Sequence, residues 1–338
     1  MAENLISREI RLARRPLGEP GLQHFELARD SVPPLTDGQI LVRNIWMSVD
    51  PYMRGRMDDT PSYIPPFQVG AALEGSAVGE VVDSRSDSIP VGTTVSHFLG
   101  WRDYAVVDAA SVNVVDVAAV PPQAYLGPLG TTGLTAYAAL TDVAPVHTGD
   151  TVFVSAAAGA VGSVAGQVAR LLGAGTVIGS AGGPDKAKRL ATDFGFDVGL
   201  DYHAGPIAEQ LTRAAPQGID VYVDNVGGDH LAAAIAAARV GARVALVGAV
   251  SSYNATGPVP GPDNLYQAYW KEVTLRGILV TSYFHRFPEW IERASGWLRD
   301  GSLRTAETIV DGLEQAPSAF LGVLRGANTG KMLVRLDG

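Results

Sequence analysis

The residues whose types and spacing first suggest chemistry run Ala156-Ala157-Ala158-Gly159-Ala160-Val161-Gly162-Ser163. A compact β-branched run, Thr151-Val152-Phe153-Val154-Ser155, precedes them. Apolar residues at Val161, Val164, Ala165, Val168, Leu171 and Leu172 follow at the i, i+3, i+4 spacing of a buried helical face. Gly173 and Gly175 end that helix, and Thr176-Val177-Ile178 begins a second strand. Strand, small-residue turn, helix and strand make the unit that seats a dinucleotide pyrophosphate on the N–H groups of a helix N-terminus. In the G-x-G-x-x-G template Gly159 and Gly162 fill two positions and Ala157 holds the first. On this reading Ala158, Gly159, Ala160, Val161 and Gly162 border the cofactor. The alternative is a turn kept small for packing alone.

The second strand distinguishes the dinucleotide. An NAD site places Asp or Glu about 20 residues after the glycine loop, on the ribose 2′-hydroxyl. Here the strand ends Gly179-Ser180-Ala181-Gly182-Gly183, with no carboxylate to repel a 2′-phosphate. Lys186 follows in Pro184-Asp185-Lys186-Ala187-Lys188-Arg189 and is placed to meet that phosphate as a point charge, or else begins a solvated basic helix. The missing acid is the stronger half of the argument, and the cofactor expected is NADP(H).

Composition bounds the remaining choices. The chain has 338 residues, enough for two domains. With 46% hydrophobic and 18% charged residues it reads as globular. A net charge of −9 argues against a nucleic-acid or anionic-membrane surface. The absence of cysteine rules out disulfides, a thiolate zinc site and a cysteine nucleophile. No apolar run reaches membrane-spanning length and the N-terminus lacks a signal-peptide pattern, so a cytoplasmic location is expected.

Two kinds of element must position the loop. Up to Val120, short apolar or alternating runs between Gly, Pro and Asp breaks predict strands at Ile6 to Leu12, Phe25 to Ala28, Ile40 to Ser48, Ala77 to Val82, Thr94 to Phe98 and Tyr104 to Val107. A distorted barrel or sandwich is expected from these. Beyond Pro121 the pattern turns helical over Leu126 to Leu140. It then alternates, with strands at 151–155, 176–180, 197–202, 219–224, 242–249 and 273–280. Six strands separated by helices predict a doubly wound parallel α/β sheet of Rossmann type. Trp290 to Leu298 reads as a further helix. A strand at Thr305 to Val310, a helix at Ala316 to Leu324 and a strand at Met332 to Leu336 return to the first domain. The Rossmann domain, residues 124–303, is thus expected as an insertion in a β-rich substrate domain made of 1–123 and 304–338. The cleft between the two is the expected site.

The whole arrangement resembles the medium-chain dehydrogenase/reductase superfamily, and within it the NADPH-dependent 2-alkenal and prostaglandin (leukotriene) reductases. Six motifs carry the resemblance, in order, over nearly the full chain: Ser48-Val49-Asp50-Pro51-Tyr52-Met53-Arg54, Gly133-Leu134-Thr135-Ala136-Tyr137, Ala156 to Ser163, Asp224-Asn225-Val226-Gly227-Gly228, Gly248-Ala249-Val250-Ser251-Ser252-Tyr253-Asn254 and Asn328-Thr329-Gly330-Lys331. Where the zinc enzymes of the superfamily carry Gly-His-Glu this chain has Ala72-Leu73-Glu74, and their cysteine-bearing segment looks like Ser48-Val49-Asp50-Pro51. A zinc site needs three or four converging N, S or O ligands. The six histidines (24, 97, 147, 203, 230, 285) have no paired spacing and read as surface groups or local hydrogen-bond partners, so no metal is expected.

The resemblance implies hydride transfer to the β-carbon of an α,β-unsaturated aldehyde or ketone, followed by a proton to the α-carbon. Such a reaction needs one placed donor for the developing enolate rather than a Lewis acid. Tyr253, after the fifth strand, is the first candidate for that donor, or else a pocket wall. Tyr52 is the second, with lining of the acyl pocket as its other role, and Tyr266 and Tyr283 stand further off. By resemblance, Tyr202 joins Lys186 at the 2′-phosphate and Asn225 meets the cofactor near its centre. Val247, Gly248, Ser251 and Tyr253 border the nicotinamide with Ile278 and Val280, and Asn328 reaches the pyrophosphate. Turn chemistry is the alternative for Asn225 and Asn328, which both precede glycine-containing turns. A homodimer is a family-level expectation. Two other functions fit the same motifs: a zinc-free quinone oxidoreductase, and a protein that binds NADPH without turnover.

Overall fold

The computed structural model describes residues 5–118 and 120–336. The chain divides into two units, one comprising Met1–Leu126, Glu307–Asn328 and Met332–Gly338, the other Gly127–Ala306 with Thr329–Lys331.

The first unit is built on the ten-residue strand Gln39–Ser48. One edge of it pairs antiparallel with Ala77–Ser84. The other edge is shared in tandem, by Tyr104–Asp108 along its first half and by the returning strand Lys331–Arg335 at its end. Thr94–His97 and Asn113–Val114 extend the sheet on one side and Glu307–Asp311 on the other, while Ile6–Leu12 and Phe25–Ser31 form a separate hairpin. Trp101 is fully buried at the centre of this unit, stacked on Phe25 at 6.3 Å and edge-on to Phe320 at 6.2 Å. The aromatic triad joins the hairpin to the C-terminal helix Ala316–Leu324.

In the second unit six strands pair in the order Val198–Asp201, Thr176–Ala181, Thr151–Val154, Ile219–Asp224, Ala238–Leu246, Thr274–Gly277, every pair parallel. In chain order this is 3-2-1-4-5-6, the doubly wound arrangement with its switch point beside the first strand. The first strand is central and buried on both faces, which explains its unbroken apolar run.

Three sequence-derived boundaries move. The fifth strand spans Ala238–Leu246 rather than 242–249: the Val247 N–H makes a last ladder bond to the Asp224 carbonyl (2.8 Å), and the Gly248 N–H turns to share that acceptor (3.0 Å). The sixth ends at Gly277 rather than 280. The Ile278 N–H makes a last bond to the Leu246 carbonyl at 3.1 Å, and the chain then coils through Val280–Arg286. The helix read over Leu126 to Leu140 is broken by Pro128 and Gly130 into the turn Pro122–Leu126 and the helix Thr131–Ala138, continued by a wider turn at Ala139–Val143.

The glycine loop shows how its imperfect template is accommodated. Ala156, one residue before the first glycine position, carries the left-handed turn with φ 47°. Ala157 is fully buried, and its methyl fits because the adjoining strand has Gly179: a Cβ there would come within 2.6 Å of the Ala157 Cβ. Gly162 lets the helix Ala160–Leu171 approach the loop, since a Cβ at that position would lie 2.4 Å from the Ala156 carbonyl oxygen. Gly162→Ala is therefore expected to push the helix off the loop, lowering unfolding free energy in denaturant titrations by about 1–3 kcal/mol and weakening dinucleotide affinity with it. Unchanged values for both would mean that the packing is looser than the contact requires.

Candidate active site

The helix Ala160–Leu171 starts at Gly159 with no side-chain cap and no acidic residue in its first turn. Its opening N–H groups have no intrahelical acceptor, and the positive end of its dipole is not neutralised locally. Gly159, Ala160 and Val161 are partly exposed here while Ala158 and Gly162 are buried. This is the donor set a pyrophosphate requires. The loop is braced from behind by the returning segment: the Gly330 N–H donates to the Ala158 carbonyl at 2.7 Å, and Gly330 forms a parallel bridge with Gly159. Asn328 lies two residues upstream of that brace.

At the end of the second strand the structure shows what stands where an NAD-type acid would be. A side chain on Gly182 would meet the Tyr202 hydroxyl at 2.8 Å and the His203 ring at 3.1 Å, so the phenol fills that space. Asp201 is turned away from it, accepting from the N–H groups of Gly183 (2.7 Å) and His203 (3.0 Å). Lys186, in the first turn of the helix Pro184–Phe194, is half-buried. Burial, and then Arg189, hold its ammonium below the ordinary lysine value. A partly desolvated cation binds a phosphate more strongly than a fully hydrated one.

The residues expected around the nicotinamide are organised by one carboxylate that sequence reasoning quoted only as part of a motif. Asp224 is 1% exposed. Its Oδ1 accepts from the Tyr222 hydroxyl at 2.7 Å and from the N–H groups of Val226 and Gly227 at 3.0 and 2.8 Å. Its carbonyl accepts from Val247 and Gly248 as described above. The Tyr222 hydroxyl also reaches the Ser155 hydroxyl at 3.0 Å. Asn225 donates from its backbone to the Ser155 hydroxyl (2.9 Å) and from its amide to the Ser155 carbonyl (2.8 Å). The ends of the first, fourth and fifth strands are thereby tied together. Ser155, Tyr222 and Asp224 are the supporting residues that the sequence pattern did not single out. The signal was present as a polar residue at the end of each apolar strand.

Ser251 extends the tie, donating from its hydroxyl and its N–H to the Val226 carbonyl (2.6 and 3.2 Å). Tyr253 follows the short turn Val250–Ser252, with its hydroxyl against Gly248. Burial raises the Tyr253 phenol above its ordinary value, partly offset by the Ala249 backbone. Ile278 is buried beside Leu246, and Val280 begins the next turn.

In the first unit Tyr52 is anchored by its neighbours. Met53 is fully buried, and the Arg54 guanidinium donates to the Gly18 carbonyl (2.9 Å) and to Asp58 (2.8 Å). The Tyr52 hydroxyl is buried with no hydrogen-bond partner, and burial, followed by Asp50, raises its pKa well above the ordinary phenol value. Tyr266 is 61% exposed, and the Tyr283 hydroxyl accepts from Arg276 at 3.4 Å.

Leu73, at the position of the zinc enzymes' histidine, is a buried core residue, and Glu74 pairs with Arg56 at 2.7 Å. Among the described residues no group of three or more His, Asp or Glu side chains converges on a point. Of the histidines, His97 is a local partner as expected: it accepts from the Leu99 N–H at 3.0 Å and faces the Asn44 amide oxygen at 2.8 Å, and burial lowers its pKa to about 3. His24 accepts from the Gly21 N–H at 2.9 Å. His230 departs from the expectation, since it is buried and its Nε2 has no partner.

Residues 8–115 match the family described as the N-terminal domain of oxidoreductase, and residues 160–296 the family described as zinc-binding dehydrogenase. The NADPH-dependent curcumin reductase of Escherichia coli is 40% identical, over 97% of this chain and 96% of that protein. The NADP(+)-dependent 2-alkenal reductase of Nicotiana tabacum is 34% identical, over 100% and 99%. The crystal structure of CurA from Vibrio vulnificus in complex with NADPH superimposes with a TM-score of 0.93 at 38% identity, covering 98% of this chain and 99% of that one. A likeness that runs the length of both chains, together with the missing zinc ligands, identifies the protein as a member of the zinc-independent medium-chain dehydrogenases/reductases, in the family of the NADPH-dependent 2-alkenal and prostaglandin reductases.

Proposed function

We propose that this protein reduces the C=C bond of α,β-unsaturated aldehydes and ketones with NADPH. The observation that carries the reading is Tyr253, which follows the turn after the fifth strand with its hydroxyl against Gly248. The relatives' reactions and the Tyr202 hydroxyl over Gly182 support the same reading.

The chain's part in the reaction follows from its donors. The uncapped helix start at Gly159 binds the pyrophosphate, and Lys186 and Tyr202 bind the 2′-phosphate. Asn225, Val247, Gly248, Ser251, Ile278 and Val280 hold the reactive end in register, and Asn328 adds a pyrophosphate contact. When bound, NADPH supplies the hydride that the β-carbon receives. As that bond forms, negative charge gathers on the substrate carbonyl oxygen, and the Tyr253 O–H donates a hydrogen bond to it. Fixed geometry and this donor supply the catalysis that zinc provides elsewhere in the superfamily. A proton then reaches the α-carbon from the phenol or from water, giving the saturated carbonyl. Tyr52 is the second candidate donor, and lining the acyl chain is its other role.

We further propose a cytoplasmic homodimer. The strand Thr274–Gly277 lies at the edge of the parallel sheet, and the helix before it exposes Tyr266, Tyr269 and Trp270 by 61, 78 and 59%. An unpaired strand beside an apolar patch is covered by a second copy more readily than by water. No helix among the described residues is long and apolar enough to cross a membrane.

The primary test is a panel of enones, alkenals and quinones with NADPH, product mass being read for a gain of two hydrogens on carbon. Faster turnover of quinones would favour quinone reduction, and binding of NADPH with no turnover of any of them would favour a non-catalytic role. Lys186→Ala should raise KM for NADPH by one to two orders of magnitude and leave NADH nearly untouched, an effect of roughly 1.4 to 2.8 kcal/mol. Equal losses with both cofactors would remove Lys186 from the phosphate. Tyr253→Phe should lower kcat by about 10- to 1000-fold, whereas a change confined to KM would make it a pocket wall. Sedimentation should give twice the chain mass for the native protein and the single chain mass for Trp270→Glu. A native monomer would refute the dimer.

A further inference from the structure

Among the described residues, three side-chain polar atoms of the second unit are buried without a partner, on Asn264, Ser180 and His230, and the last two lie near the same strand ends. His230 is 7% exposed, and its Nε2 is buried without a partner. Ser180 is 0% exposed, and its hydroxyl is likewise unpaired. Both belong to one layer. Ile178 packs with Leu200 and with Ala233 and Ala234 of the helix Gly228–Ala237. Ser180, two residues further along the same strand, faces the same side of the sheet. His230 precedes Ala233 and Ala234 by three and four positions and so shares their helix face. Strand ends and helix start together put both groups at the C-terminal edge of the sheet.

The third member of the group is Tyr202. Its ring meets the His230 ring edge-on at 5.4 Å and 81°. Its hydroxyl occupies the space over Gly182, and it is 41% exposed. Filling this layer requires only apolar bulk, and a nitrogen buried without a partner disfavours folding unless binding brings it one. The imidazole is held neutral by burial, which outweighs the opposing influence of Asp224 and Asp229. A neutral ring offers one donor and one acceptor nitrogen.

We propose that His230 is a further binding residue for the adenosine end of the cofactor, its Nε2 exchanging a hydrogen bond with the 2′-phosphorylated ribose. The inference rests on the assignment of Lys186 and Tyr202 to that end. Ser180 lies in the same layer as the polar group nearest in kind, and His230 is the one that touches Tyr202.

The two halves of the cofactor separate the possibilities. By calorimetry, His230→Phe keeps a ring against Tyr202 and should weaken 2′,5′-ADP by about 5- to 20-fold, the loss of one hydrogen bond, with nicotinamide mononucleotide unaffected. His230→Gln, which restores a polar group at similar reach, should recover most of the affinity. In the native protein with ¹⁵N-labelled histidine, the His230 Nε2 resonance, assigned by its absence from the spectrum of His230→Gln and so told apart from that of the neighbouring His203, should move on addition of 2′,5′-ADP and stay in place with nicotinamide mononucleotide. This readout holds even if the phenylalanine variant does not fold. Native protein that fails to bind 2′,5′-ADP overturns the assignment of Lys186 and Tyr202 together with this inference. Native protein that binds it, with an unmoved imidazole resonance or equal affinity in His230→Phe, overturns the role of His230 alone.

Discussion

The buried carboxylate of Asp224 is the constraint on which the catalytic edge of the second unit depends. Polar oxygens so fully removed from water are costly unless their lone pairs are met, and here a phenol and two backbone N–H groups meet one of them. Those donors are also structural instructions. The Val226 and Gly227 amides fold the turn that starts the helix Gly228–Ala237, and the Tyr222 hydroxyl reaches on to Ser155 at the end of the central strand. The Asp224 carbonyl takes the last ladder bond from Val247 and a second bond from Gly248, and there the segment carrying Ser251 and Tyr253 leaves the fifth strand. A single residue thus couples three strand ends and the loop bearing the proposed donor.

The motifs that mark the family divide by what their side chains do. Gly133 to Tyr137 serves packing: Tyr137 stacks on Trp290 at 5.1 Å, and the Trp290 indole donates to the Pro128 carbonyl at 2.8 Å. In Ser48 to Arg54, the buried Met53 and Arg54 hold the turn that presents Tyr52. Asn328 to Lys331 braces the glycine loop through the Gly330 backbone. The remaining three carry the residues proposed to meet the cofactor and substrate. Tyr202, outside all six motifs, has its hydroxyl in the space that a side chain on Gly182 would take.

The sequence by itself determined the order of elements and the choice of cofactor. Both rest on local patterns: a period of 3.6 or 2, small residues where a helix meets a loop, and the absence of an acid at one strand end. The six strands of the parallel sheet and the β-rich character of the first unit were legible for that reason, since each stretch carries its own periodicity. The boundaries that moved had different causes: Pro128 and Gly130 broke one helix locally, whereas the fifth strand ends where the Gly248 N–H turns to the distant Asp224 carbonyl. Only the tertiary structure decided that Ala157 is tolerated because Gly179 faces it, that Ser155, Tyr222 and Asp224 form one network, and that His230 is buried against Tyr202. Each of these relations joins residues from separate strands, loops or helices. A contact between positions far apart in the chain leaves no local trace, because hydrogen-bond geometry and close packing are properties of the pair.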